Sequence, residues 1–376
     1  MSARLKVMTV VGTRPEIIRL AATMRLLDRL VDHVVVHTGQ NYDYELNELL
    51  FEDLELRRPD RFLAADTSSL GAALGTILAR VETAIAEERP DAMLVLGDTN
   101  SCIAAVMGRR MRVPVFHMEA GNRAFDENVP EETNRRLVDH VADYNLAYTE
   151  HARRNLLAEG LHPSRVVVTG SPMREVLAQS RERIEASDVL ERQGLARHGY
   201  LLVSLHREET VDDPVRLERA LRALDALGAE HDAPVLVSTH PRTRRRLAEQ
   251  APELLRRLTL HAPFGFHDYV ALQRSALVVL SDSGTIAEES SILGFPAVTL
   301  RDAIERPEAL DVGAIVTSGV DPEGVVEAVR ATLALHAAMG PPTAPVDYAP
   351  DDVSRRVASF ILSSTRSHRE RAGLRR

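Results

Sequence analysis

An α/β protein of two domains, each a doubly wound parallel sheet, is what this sequence predicts, and three observations predict it. At 376 residues the chain is longer than one domain usually runs. Short apolar runs alternate with amphipathic helical stretches from the start, the pattern of buried parallel strands covered by helices on both faces. That alternation lapses in a polar, charge-rich helical stretch around 171–199 and then begins again. The boundary between two Rossmann-like domains facing across a cleft belongs there.

The first half opens with LKVMTVV (5–11), the helical PEIIRLAATMRLLDRL (15–30) and HVVVHTG (33–39). A helical stretch around 71–88 leads to DAMLVLGD (91–98), a helix at 101–110 and VPVFHMEA (113–120). YNLAYT (144–149), a helix and RVVVTG (165–170) close it. The second half runs YLLVSLH (200–206), a helix at 214–229, PVLVSTH (234–240) and a helix at 243–257. LTLHAP (258–263), a helix near 268–274, ALVVLSDSG (276–284) and FPAVTL (295–300) follow. The halves share an architecture but no sequence repeat. An amphipathic helix, DDVSRRVASFILSS (351–364), precedes the basic RSHRERAGLRR, which is expected to be disordered.

Composition narrows the function. Hydrophobic residues make up 44% and charged residues 27%, ordinary for a globular, enzyme-sized chain. A net charge of −9, 4% aromatics and no Trp speak against a phosphate-tracking surface and a base-stacking platform, so no nucleic-acid partner is expected. Any phosphate site must be local, built from particular arginines or helix ends. One cysteine, Cys102, excludes an internal disulfide framework and a cysteine-based zinc site. No apolar run approaches the roughly 18 residues of a membrane helix. The first strand also starts within a few residues of Met1, leaving no room for a signal peptide. A cytoplasmic protein without a membrane partner is the expectation.

In doubly wound sheets, ligands sit beyond the carboxyl ends of the strands, and the chemistry-bearing residues fall there. Gly12-Thr13-Arg14-Pro15 follows the first strand, where a helix start and the forked donor of Arg14 suit an anion. No G-x-G-x-x-G accompanies it, so a dinucleotide fingerprint is missing. In the second half, Ser281-Asp282-Ser283-Gly284-Thr285 leads into a helix carrying Glu288 and Glu289. Hydroxyls and a glycine at a helix start can cradle phosphate, and a glutamate one turn on can accept both hydroxyls of a ribose. The same residues also read as a plain helix cap with a solvated acidic face. His206 and His240 each stand at a strand end, where they can line one site. Asp98 and Glu119 end buried strands, where a carboxylate is costly unless paired or used. His117 and Glu119 form H-x-E, but the P-C-x-x-C of zinc deaminases is missing, and nothing visible requires a metal.

GTRPEIIRL (12–20), GDTNS (97–101), HMEAGNR (117–123), VPEETNRR (129–136), VTGSP (168–172), SDSGTIAEE (281–289) and RDAIERPEAL (301–310) together resemble the non-hydrolysing UDP-N-acetylglucosamine 2-epimerase family, in order and over about the whole chain. The resemblance implies a glycosyltransferase B-type architecture: residues 1–172 as one domain, with the helix 351–366 packing back on it, and 173–350 as the UDP-binding domain. The tail 367–376 remains expected to be disordered. It also implies a UDP-amino sugar as substrate, no cofactor, and a homodimer. In that family's chemistry a base removes the C2 proton as UDP leaves C1. The resulting 2-acetamidoglucal then takes UDP back with a proton on the opposite face.

Carried over residue by residue, Asp98, Glu119 and Glu131 match the acid/base positions and His206 the histidine near the diphosphate. Arg14, Arg19 and Arg135 are implied as cationic contacts, with Arg19 standing where the family usually has lysine. Ser283, Gly284 and Glu289 match phosphate and ribose contacts, Thr285 replaces a common glycine, and Phe266 is the implied wall for uracil, while His240 is expected to line the site from its strand-end position alone. Asp126, Glu127 and Glu132 are expected to be solvated or paired with Arg123, Arg135 or Arg136. HTGQNYD (37–43) keeps Gln40 but loses a histidine of the usual pattern, so activation by a second UDP-sugar is expected to be weak or missing. Several variants look like the branch that makes polysaccharide amino sugars. A 2-epimerase of a 6-deoxy UDP-sugar on the L-fucosamine route is therefore the alternative substrate reading, and a non-catalytic UDP-sugar-binding protein the alternative class. Loss of an acid would favour the latter, and none is lost.

Overall fold

The computed structural model describes residues 4–40, 50–239, 243, 244, 246, 247, 258–371 and 373. His240, most of the helix expected at 243–257, and Asn41 to Asp43 of the HTGQNYD stretch lie outside them. The chain divides into two compact units. One comprises Met1–Arg123, Pro130–Gln179 and Asp347–Arg376, the other Ala124–Val129 and Ser180–Val346.

In the first unit the strands β1 (Lys6–Val11), β2 (Asp32–His37), β3 (Arg61–Phe62), β4 (Ala92–Leu96), β5 (Val115–Met118), β6 (Tyr144–Ala147) and β7 (Val166–Val168) form one sheet. Its order is β3-β2-β1-β4-β5-β6-β7, with every neighbouring pair parallel. Strands β4 and β5 are buried along their whole length, as their apolar runs require when helices cover both faces. Chain order reverses between β1 and β4, so the loops leaving these strands splay apart and open a crevice at their carboxyl ends.

The second unit repeats the design with β8 (Leu201–Ser204), β9 (Val235–Ser238), β10 (Leu258–His261), β11 (Val278–Ser281), β12 (Ala297–Thr299) and β13 (Val316–Thr317). The order is β10-β9-β8-β11-β12-β13, again parallel, with the reversal between β8 and β11. Leu201, Val203, Val278 and Leu280 of these central strands pack with Leu217, Leu221 and Leu224 of the covering helix Pro214–Glu230 in one core.

Helix α1 (Arg14–Leu30) follows β1, α2 (Leu70–Glu88) precedes β4, and α3 (Glu131–Val141) lies between β5 and β6. In the second unit α4 (Phe266–Ser275) precedes β11 and α5 (Ile286–Leu293) follows it. The last helix, α6 (Val353–Arg371), belongs to the first unit and packs on α1. Its Ser354 N–H and hydroxyl donate to the Glu175 carboxylate at 2.8 and 2.5 Å. The Phe360 ring meets Phe116 and Tyr144 edge-on at 6.0 and 5.4 Å.

This helix corrects one expectation: it continues to Arg371, five residues past the expected end at 366. His368 is buried, with Nδ1 3.3 Å from the Tyr144 hydroxyl, so the last turns carry an anchored face as well as their charges. The unit boundary also falls later than 172/173, because the helix Met173–Gln179 is tied to α1 through Arg25 and Gln179 and to α6 through Glu175.

Candidate functional site

The predicted residues of the first unit gather on the loops leaving β1, β4 and β5. Helix α1 starts from Thr13 in extended backbone, with Pro15 in the first turn and Glu16 closing a capping box. Glu16 does more than cap. It is 1% exposed, and its carboxylate accepts the Gly12 N–H at 2.5 Å, the Thr13 N–H at 3.0 Å, the Thr99 hydroxyl at 2.5 Å and the Ser101 hydroxyl. Burial pushes its pKa up, and these four donors oppose the shift. The result is a knot between the loop carrying Arg14 and the loop carrying Asp98. Arg14, half-buried, is the first residue of the helix.

Arg19, on the same helix, is buried, and its Nη1 donates to Oε2 of Glu119. Glu119 follows β5 directly and is itself buried, with φ at +63°, the left-handed region that costs an L side chain about 1–2 kcal/mol. Two residues later the Gly121 N–H donates to both oxygens of Asp139, at 3.2 and 3.1 Å. Asp139 is wholly buried between the Arg123 guanidinium at 2.8 Å and His117 Nδ1 at 2.9 Å. The other ring nitrogen of His117 lies 2.8 Å from the Gly97 carbonyl oxygen. A buried polar network therefore braces the turn at Glu119 and fixes it to the loop of Asp98.

Asp98, partly exposed, accepts from Arg135 Nη2, and the Arg135 Nη1 donates to Glu132 at 2.5 Å. Glu132 also takes Arg136, at 3.2 and 3.1 Å, so its expected arginine pairing is present, but it is buried rather than solvated. Its position inside the first turn of α3 explains this. Asp126, expected to be solvated or paired with an arginine, is partly exposed. Its carboxylate accepts the N–H and the side-chain amide of Asn128 at 2.9 and 2.7 Å, and the N–H bond leads the causes that hold its pKa down. Arg123 is engaged with Asp139 and Glu159 instead. Glu131 opens α3 behind Pro130 and is half-buried. One turn on, Asn134 Nδ2 donates to the Asp98 carbonyl at 3.0 Å, which turns this face of the helix toward the Asp98 loop. Asp98, Glu119 and Glu131 thus stand at three adjoining element ends.

In the second unit the loops after β8 and β11 carry the predicted residues. His206 is half-exposed, and its Nδ1 lies 2.9 Å from Oδ1 of Asp282, which is fully buried. Asp282 also accepts the His206 N–H at 2.9 Å and the Arg207 N–H at 2.9 Å. Its negative charge raises the pKa of His206. Burial pushes Asp282 upward, but the histidine charge and these donors leave it below the usual carboxylate range.

The Ser283 hydroxyl lies 3.0 Å from that of Thr285, and Gly284 between them faces a charged wall. A Cβ at Gly284 would stand 2.7 Å from Arg306 Nη1, which donates to the Gly284 carbonyl at 2.8 Å. Arg306 also pairs with the buried Glu288 at 3.1 Å. Beside it, Arg301 holds Glu305 through two bonds of 2.5 and 2.7 Å, and Arg207 reaches the same carboxylate at 3.2 Å. Glu289, half-buried on α5, accepts from Gln273 at 2.6 Å. Phe266 opens α4, is buried, and meets the His267 ring at 5.5 Å.

Four features of this arrangement lie outside the sequence expectations. Asp282 reads in the sequence only as part of a turn. Glu16 was visible as T-x-x-E at a helix start. Asp139 with His117, and Arg301, Glu305 and Arg306 of RDAIERPEAL, gave no local sign of their roles.

Two doubly wound parallel units, each with its polar residues at the switch point, define an enzyme of the glycosyltransferase B-type architecture. Residues 26–362 match the family described as UDP-N-acetylglucosamine 2-epimerase. The chain is similar to the structure of UDP-N-acetylglucosamine 2-epimerase from Rickettsia bellii, 41% identical with a TM-score of 0.92, over 97% of this chain and 98% of that one. It is similar also to the Methanocaldococcus jannaschii enzyme solved with UDP-GlcNAc and UDP, 32% identical with a TM-score of 0.89, over 96% and 100%. A third relative, the UDP-2,3-diacetamido-2,3-dideoxy-D-glucuronate 2-epimerase of Pseudomonas aeruginosa, is 35% identical over 88% of this chain and 92% of its own. The chain belongs to the UDP-N-acetylglucosamine 2-epimerase family.

Proposed function

We propose that the protein interconverts UDP-N-acetylglucosamine and UDP-N-acetylmannosamine by eliminating and re-adding UDP. The observation that carries the reading is Glu119, a buried carboxylate in a left-handed turn, paired with Arg19 and fixed to the Asp98 loop. Strained backbone persists where the surroundings over-determine it, and such positions cluster at working sites.

In the elimination the C2–H bond breaks, its electron pair forms the C1=C2 double bond, and the C1–O bond breaks with its pair leaving on UDP. The proton goes to one of Asp98, Glu119 and Glu131. Re-addition delivers a proton to the other face of C2 while a UDP oxygen closes on C1. Two faces require at least two acids, which a trio at adjoining element ends supplies.

The second unit serves the nucleotide. Ser283, Gly284 and Thr285 at the start of α5 hold phosphate oxygens, and His206, whose protonated form Asp282 favours, stabilises charge on the departing diphosphate. Glu289 takes the ribose hydroxyls, Phe266 borders the base, and Arg14 and Arg135 add positive charge. The active form is proposed to be a homodimer.

Incubation with UDP-N-acetylglucosamine in D₂O, followed by NMR at C2, tests the proposal. Deuterium at C2 together with the manno epimer is the expected outcome. Glu119→Gln and Glu131→Gln are each expected to slow turnover at least about 10²-fold, the usual scale of general acid–base help. Near-normal exchange in both variants overturns the assignment. The Pseudomonas relative, named for a diacetamido glucuronate, supports a second reading in which the sugar is altered at C3 or C6, and the 6-deoxy sugar rests on the motif variants alone. Exchange confined to such a substrate would select it.

A further inference from the structure

The opposite edge of the first unit's sheet, at the amino ends of β1, β4 and β5, holds a pocket that the proposed chemistry does not use. It measures about 610 Å³, within the roughly 300–1,000 Å³ of small-molecule sites. Leu5, Ile85 and Pro114 give it apolar walls, and Arg89, Arg112 and Arg366 give it charge.

All three arginines are exposed, and none of their guanidinium groups has an ion-pair or hydrogen-bond partner among the described residues. Asp91, the acid in the lining, already accepts the Lys6 N–H at 2.8 Å. Three like charges therefore gather around a single carboxylate, in a chain whose net charge is −9.

The backbone supplies an independent observation. Arg89 ends α2 at φ +50°, and Arg112 sits at φ +62° in the loop before β5. Both positions are left-handed, where glycine is the unstrained residue. Two neighbouring strands are therefore each entered from a loop in which the left-handed residue is an arginine that lines this pocket.

We propose that the pocket binds a small phosphate-bearing metabolite, its phosphates held by Arg89, Arg112 and Arg366 and its remainder against the apolar wall. Forked guanidinium donors match phosphate oxygens, and three of them match the charge of a diphosphate.

Calorimetric titration with inorganic pyrophosphate, on protein saturated with UDP, tests this. Saturable binding is expected to persist beside UDP. It is expected to weaken at least about tenfold in Arg89→Gly, Arg112→Gly and Arg366→Gln, each measured separately. The two glycine variants are also expected to keep or raise the melting temperature, because glycine adopts their backbone without strain. A lower melting temperature in both would mark the arginines as structural and overturn the proposal. Failure of pyrophosphate to bind the protein both with and without UDP, or binding unchanged in all three variants, would overturn it as well. Should UDP itself not bind, the same titrations on the free protein report on this pocket alone, so the two readings fail separately.

Discussion

Glu119 combines two costs in one residue: a left-handed backbone and a buried charge whose counter-ion is Arg19. Their sizes decide what a substitution does. Glycine at 119 would relieve about 1–2 kcal/mol of backbone strain. It would also leave the Arg19 guanidinium buried without this partner, a loss of about 3–5 kcal/mol for a broken buried pair. The broken buried pair wins, and Glu119→Gly is expected to destabilise the protein by about 1–4 kcal/mol in urea denaturation. Adding Arg19→Met removes the charge and should restore most of that stability. A Glu119→Gly protein more stable than the parent would show that strain, not the ion pair, governs this turn.

At the level of elements, the strand ends are cross-tied, and the ties explain what could and could not be read from the sequence. Asp98, Glu119, His206 and Ser283 were legible because each follows an apolar run that can only be a buried strand. Their partners were not. Asp282 lies 76 positions from His206, and Glu16 lies 85 from Ser101, so no local pattern links them. The same holds for α6, whose last turns looked like a charged tail until Tyr144, 224 positions away, was placed beside His368.

The tie at His206 has a pH signature. Its pKa is raised by Asp282, so the stability it contributes is fully present below the ordinary histidine value of about 6.5 and is lost as pH rises through the raised one. Asp282→Asn removes that charge while keeping an acceptor for the backbone N–H groups. In that variant the stability difference from wild type should be largest on the acid side of neutrality and shrink as pH rises. The alkaline limb of kcat/KM should move to lower pH, because the imidazolium is lost earlier. An unmoved limb would remove His206 from the reaction.

For the whole molecule, the two units differ in how the chain closes them. The second is one stretch, Ser180–Val346, with only the loop Ala124–Val129 added. The first is completed by Asp347–Arg376 from the far end of the chain. In α6, Val353, Val357 and Ile361 are entirely buried. Fully burying each such side chain is worth about 1.5–3 kcal/mol, so the three together contribute about 5–9 kcal/mol. That is comparable with the whole stability of a typical domain, about 5–15 kcal/mol. A fragment ending at 179 should therefore fail to fold although it holds every strand of its sheet. A fragment spanning 180–346 should melt cooperatively and, on the proposed function, bind UDP. Circular dichroism melts of the two fragments, with UDP titrated into the second, decide the matter. Cooperative melting of 1–179 at the temperature of the full chain would mean that α6 is an ornament on the first unit rather than part of its core.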